Sequence, residues 1–223
     1  MDRNHTNPLD GLYEIVNDLW AHTEANPSSK ADEKKEETAS VAKSTKENAL
    51  PSFETLWKTA DESIDWTDVL VSPIPTDGFT GQARWDFLRS QVESVLSGDT
   101  RAYTKVLQEV RPLDDLKGYA HKIRVTCPHA DRAVVSFEAM MEDAAQAEEA
   151  YETYLCGIGI RCARDMFAVL PVSEVEISGS DSRGERLHVV FTRASLRGVR
   201  FGFIVPTTFV ITHGGTIVSP EDA

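Results

Sequence analysis

A chain of 223 residues with 41% hydrophobic and 26% charged content can build a core of domain size. Its net charge of −13 argues against a general nucleic-acid binder, which needs a basic face. No apolar run approaches the ~20 residues that span a bilayer, and "MDRNHTNPLDG" lacks the pattern of a signal peptide, so no membrane partner is expected.

The acid is concentrated at the front: residues 1 to 80 hold 7 Lys/Arg against 16 Asp/Glu, and the remainder 16 against 20. Three cysteines, Cys127, Cys156 and Cys162, are an odd and sparse set that points to reduced thiols and a cytoplasmic location. "LDGLYEIVNDLW" sets Leu12, Val16 and Trp20 on one stripe of an amphipathic helix within residues 1–20. That helix is too short to stand alone in water, so it reads as a docking element for a protein partner or for its own body. Residues 21–51 have no aromatic residue and few large aliphatics, the composition of a flexible acidic linker.

The body is expected over 52–215. Phe53, Leu56, Trp57 and Ala60 share a helical face behind half a capping box, Ser52 and Thr55. A helical hairpin follows over 82–110. Trp85, Leu88, Val92 and Val95 stripe its first helix, Gly98 closes that helix, and Asp99 caps the second. Alternation then predicts strands at "HKIRVTC" and "RAVVSFEAM", and again at "SEVEIS" and "ERLHVVFT". Between the pairs, about Met141 to Leu170 reads as one long helix. "RASLRG" reads as a helical turn and "VRFGFIV" as a last strand, while "PTTFVITHGG" fits either helix or strand. Residues 216–223 read as a C-terminal tail. The order predicts an α+β fold: an antiparallel sheet of four to five strands packed on one long central helix.

Within that helix, Gly157-x-Gly159 superficially resembles a phosphate loop. Such a loop needs a strand directly before it, whereas "QAEEAYETYLC" is already helical, so the glycines are expected where another backbone comes close. Arg161, Arg164 and Asp165 share one sector beside the apolar stripe. They fit an anion-binding or catalytic cluster, an ion pair locking the helix to the sheet, or a solvated edge. Residues 183 to 200 carry Arg183, Arg186, Arg193, Arg197 and Arg200 against one acid, Glu185. This basic stretch could meet phosphates or an acidic partner, receive the chain's own acidic front, or guard a strand edge.

No pattern calls for a metal or cofactor. Cys127-x-His129 has no second pair at zinc spacing, and no G-x-S-x-G elbow occurs. The helical hairpin has no basic recognition face.

Taken together, "IDWTDVLVSPIP", "VLSGDTRAYTKVLQEVRPLDDLKGYA" and "YETYLCGIGIRCARDMFAVLPVSEVEI" resemble an uncharacterised family of bacterial domains. The resemblance covers roughly Asp65 to Phe209. It implies a shared body behind a variable N-terminal appendage, and it carries over no catalytic residue. The expected function is therefore a non-enzymatic protein working through protein contacts. The alternative is an enzyme or a nucleotide- or anion-binding protein built on Arg161, Arg164, Asp165, Arg193, Arg197 and Arg200. Convergence of these arginines in one concave site favours the alternative.

Overall fold

Asp65 starts helix α1, Trp66–Val71, by accepting from the backbone N–H groups of Thr67 and Asp68 at 2.9 and 3.0 Å. Helix α2, Gln82–Leu96, buries Trp85, Leu88, Val92 and Val95, and the Trp85 indole donates to the Ser72 carbonyl behind α1. Gly98 then takes the left-handed φ of +82° that lets the chain reverse within three residues. Asp99 accepts from the Arg101 N–H at 2.9 Å and starts helix α3, Thr100–Val110. The computed structural model describes residues 52–78, 80–141 and 148–218, all within one compact unit, Leu50–Ala223. The proposed docking helix and the whole of the linker lie outside the described residues.

Where a helix is expected after Ser52, only a 3-10 turn forms, Leu56–Lys58, and Thr55 makes no side-chain cap bond. Leu56 and Trp57 are nevertheless buried, so tertiary packing holds a segment that local capping does not.

Strand alternation becomes two hairpins. β1, Ala120–His129, pairs antiparallel with β2, Arg132–Ala139; β3, Glu174–Asp181, pairs antiparallel with β4, Gly184–Thr192. Ala133, Val135 and Phe137 share the buried face with Val175, Ile177, Leu187, Val189 and Phe191. Between the hairpins runs helix α4, Glu148–Val169. The sheet is mixed rather than antiparallel, because β2 and β3 are parallel, with Val135 opposite Ile177. The physical reason is the helical connection: after β2 the chain returns through α4 and re-enters the sheet in the same direction.

α4 is buried on every side from Tyr154 to Ala163. A Cβ at Gly159 would lie 2.9 Å from Leu187 Cδ2 and 3.2 Å from Ile177 Cγ2, so this glycine lets the helix sit down on the sheet. A Cβ at Gly157 would lie 3.0 Å from Trp57 Cε3, on the side covered by the 3-10 turn. The close neighbours are therefore side chains, and the expected backbone approach is corrected.

The end of the chain departs further from expectation. After α5, Arg193–Leu196, residues 199–205 form no strand but a 3-10 turn at Phe201–Phe203. Phe201 turns inward against Phe209, with ring centroids 6.0 Å apart, while Phe203 is 87% exposed. The fifth strand is instead β5, Thr216–Ile217, reached through α6, Pro206–Thr212, and paired with Leu187 and His188. It falls inside the expected tail. Proline at the first turn of α6 resolves the ambiguous segment as helix.

Gly157→Leu is expected to destabilise the protein by about 1–3 kcal/mol through overpacking against Trp57, read as a lowered urea midpoint. An unchanged midpoint would show that the 3-10 turn does not press on α4.

Candidate functional site

Arg161, Arg164 and Asp165 of α4 face the 3-10 turn and the segment that follows it. Asp165 is fully buried and accepts from Arg161 Nε at 2.6 Å and from the Asp61 N–H at 2.8 Å. The rest of the Arg161 guanidinium meets Asp115 at 2.9 Å, Asp61 at 3.5 Å and the Thr59 hydroxyl at 2.7 Å. Burial pushes the Asp165 carboxyl up to about 7, against the pull of the Asp61 amide and the Arg161 charge. Burial also opposes the Arg161 charge, yet the surrounding carboxylates, Asp165 foremost, hold its pKa above the ordinary value. Three acids and a hydroxyl occupy Arg161, so it serves as an internal tie. None of these partners lies in the sheet, so the pair ties the helix to the segments at 59–61 and 115 rather than to the strands.

Arg164 lies one turn on. Its Nη1 donates to the carbonyls of Trp57 and Thr59 at 2.5 and 2.9 Å, and its guanidinium stands 4.0 Å from the Phe201 ring centroid. Arg193 closes the end of α4. Its Nε, Nη1 and Nη2 donate to Val172, Phe167 and Leu170, covering carbonyls that a helix C-terminus leaves open. Burial lowers the pKa of Arg164, and burial together with the charge of Arg197 lowers that of Arg193.

Arg164, Arg193 and Arg197 line one cavity of about 320 Å³. Phe167, Ala168, Leu196 and Phe201 supply its apolar wall, and Asp61 and Ser63 lie at its edge. Arg161 and Arg200 are not among its lining residues, so the six residues grouped by sequence divide. Arg161 and Asp165 form the buried knot, three arginines share the cavity, and exposed Arg200 stands on the approach to the Phe201–Phe203 turn. Leu12, Val16 and Trp20 lie outside the described residues.

The other half of the basic stretch folds elsewhere. Arg186 is buried and donates from Nε to Asp181 at 3.1 Å, and Asp181 also accepts from the Tyr151 hydroxyl at 2.9 Å and the Arg183 N–H at 2.8 Å. Burial would raise the Asp181 carboxyl, but these donors outweigh it and hold the pKa below the ordinary carboxylate value. On the open sheet face, Glu176 bridges His188 at 3.0 Å and Arg132 at 2.7 Å. The thiols are suppressed: burial pushes Cys127 up to about 11 and raises Cys156 and Cys162 as well, so none is appreciably ionised at neutral pH. Among the described residues, no group of three or more His, Cys, Asp and Glu could hold a metal ion. No described helix is long and apolar enough to cross a membrane.

Sequence spacing placed Arg161 beside Asp165 but could not supply Thr59, Asp61 or Asp115, which lie 102, 100 and 46 positions away along the chain. Nor did any local signal identify Phe201 as the platform under Arg164. No family model, curated protein or solved structure matches the chain.

Arg161→Met is expected to cost about 3–5 kcal/mol in denaturant unfolding, because it leaves the Asp165 carboxyl buried without its partner. Adding Asp165→Leu should restore most of that loss. A single variant as stable as wild type would remove the pair from the fold's support.

Asp181 makes stability depend on pH. With its folded pKa depressed, its contribution is present above the unfolded value of about 3.9 and is lost as pH falls through the folded pKa. The stability gap between wild type and Asp181→Asn should therefore narrow on acidification below about pH 4. A gap that widens there would contradict the depressed pKa.

Proposed function

We propose that the chain is a non-enzymatic bacterial protein of the cytoplasm that works by binding another protein, and that it belongs with the uncharacterised bacterial domains it resembles over residues 65–209. The observation that carries this reading is Phe203. A phenylalanine at 87% exposure, followed by Val205 at 60%, stands beside the exposed cation Arg200 on the turn between α5 and α6. An aromatic anchor flanked by arginine is the composition of an interface centre rather than of ordinary surface. No hydrogen bond or ion pair to a described residue engages the Arg200 guanidinium. The partner that fits is an acidic segment with apolar side chains, which would cover Phe203 and Val205 and pair with Arg200. The N-terminal stripe of Leu12, Val16 and Trp20 is proposed as a second contact element, carried on the linker.

The test uses the full chain with a photo-reactive benzoyl analogue in place of Phe203, irradiated in native lysate. One discrete protein adduct is expected, joined at an acidic and apolar stretch and lost when Arg200→Glu is added. An adduct no stronger than that from exposed Thr126, or one unmoved by Arg200→Glu, overturns the reading. Trp20→Ala should weaken the same complex without moving the melting midpoint. A lowered midpoint would assign that helix to the protein's own stability.

A further inference from the structure

The cavity between α4, α5 and the Phe201–Phe203 turn is lined by groups of two kinds. Phe167, Ala168, Leu196 and Phe201 are its apolar part. The guanidinium groups of Arg164, Arg193 and Arg197 stand among them, Arg164 at 4.0 Å from the Phe201 ring centroid and Arg193 at 5.0 Å from that of Phe167. Their hydrogen bonding separates their roles. Arg193 directs all three nitrogens to carbonyls at and just beyond the end of α4 and contributes fixed positive charge. Arg164 is clamped by one nitrogen, Nη1, and by the Phe201 ring, so its Nε and Nη2 edge is pre-oriented without a protein acceptor among the described residues. Arg197 is exposed, and its guanidinium makes no hydrogen bond or ion pair with any described residue.

The charge in the cavity is not balanced from within. Asp61 is the one acid in the lining, and its carboxylate is directed to Arg161, 3.5 Å away in the buried knot. All the cations on the wall are thus held by carbonyls or by nothing, and Arg193 and Arg197 repel each other. An anion placed between Arg164 and Arg197 would relieve that repulsion and accept from donors already held in place. A free inorganic anion would leave the apolar wall uncovered. At about 320 Å³ the volume lies at the lower end of small-molecule sites.

We infer that this cavity binds a small organic oxyanion, a carboxylate or phosphate carried on a compact planar or apolar body, with the oxyanion at Arg164 and Arg197 and the body against Phe167, Leu196 and Phe201. Arg164 and Arg197 supply the donors, and Arg193 supplies charge from behind. The site is separate from the contact surface proposed at Phe203, since neither Phe203 nor Arg200 lines it.

Calorimetric titration of the full chain with four probes tests the inference. Phenyl phosphate and benzoate present the two oxyanions on one ring, inorganic phosphate has no body, and benzamide has no charge. Saturable binding of phenyl phosphate, benzoate or both is expected, and the tighter of the two identifies the headgroup. Inorganic phosphate should bind about tenfold more weakly, consistent with losing an apolar ring contact of roughly 1.4 kcal/mol. Arg197→Gln should weaken the tighter ring probe about tenfold, the size of one charge-assisted hydrogen bond, without lowering the melting midpoint, because the side chain is exposed and its charge opposes that of Arg193. Arg200→Gln should bind as wild type does. The inference is overturned if neither ring oxyanion binds saturably, or if benzamide binds as well as benzoate. It is equally overturned if inorganic phosphate matches phenyl phosphate, or if Arg200→Gln weakens binding as much as Arg197→Gln.

Discussion

Helix α4 can be buried on all sides only because two different layers cover it, and two glycines permit both. Gly157 and Gly159 are two residues, about 200°, apart on the helix, so one faces the 3-10 turn and the other faces the sheet. Each glycine costs about 1 kcal/mol of helix propensity relative to alanine. In exchange, Trp57 closes from one side and Leu187 and Ile177 from the other at distances no Cβ would permit without movement. The outer layer has little regular structure of its own. What holds it is a set of bonds to α4: Asp61 to Asp165, Ile64 N–H to the Ala168 carbonyl, and the Trp66 indole to the Val169 carbonyl.

The same dependence explains why arginine recurs in the second half of α4 and just beyond β4. A loosely structured segment lying against a helix leaves carbonyls to satisfy, and a helix end leaves more. Arg164 answers the first need at Trp57 and Thr59, and Arg193 answers the second at Phe167, Leu170 and Val172. Carbonyls accept hydrogen bonds without cancelling charge. The consequence is an acidic protein with a local site of positive charge, created by structural ties and completed by one residue, Arg197, that ties nothing.

Much of the architecture was legible. The apolar stripe of α2, the Asp99 cap, the alternation of β2, β3 and β4 and the all-round burial of α4 follow from periods of 3.6 and 2 and from local capping chemistry. Three features were not legible. The parallel pairing of β2 with β3 depends on where α4 delivers the chain, which alternation within a strand does not encode. Residues 199–205 have a strand's composition but fold as a turn because Phe201 packs on Phe209 and Arg164, which are distant elements. The segment 53–60 has a helical stripe but no working cap, and Trp57 is held by α4 instead.

By itself, then, the sequence determined the class of fold, most helices and strands, the buried faces and the placement of Arg161 one turn from Asp165, because these rest on periods and spacings along the chain. The tertiary structure alone decided the mixed sheet, the partners that occupy Arg161, and the separation of five candidate arginines into one tie, one three-arginine cavity and one surface cation. The physical reason is range. Hydrophobic period and capping act along the chain, whereas the fate of a charge is set by whichever carbonyl, carboxylate or ring the fold brings to it across 21 to 107 positions.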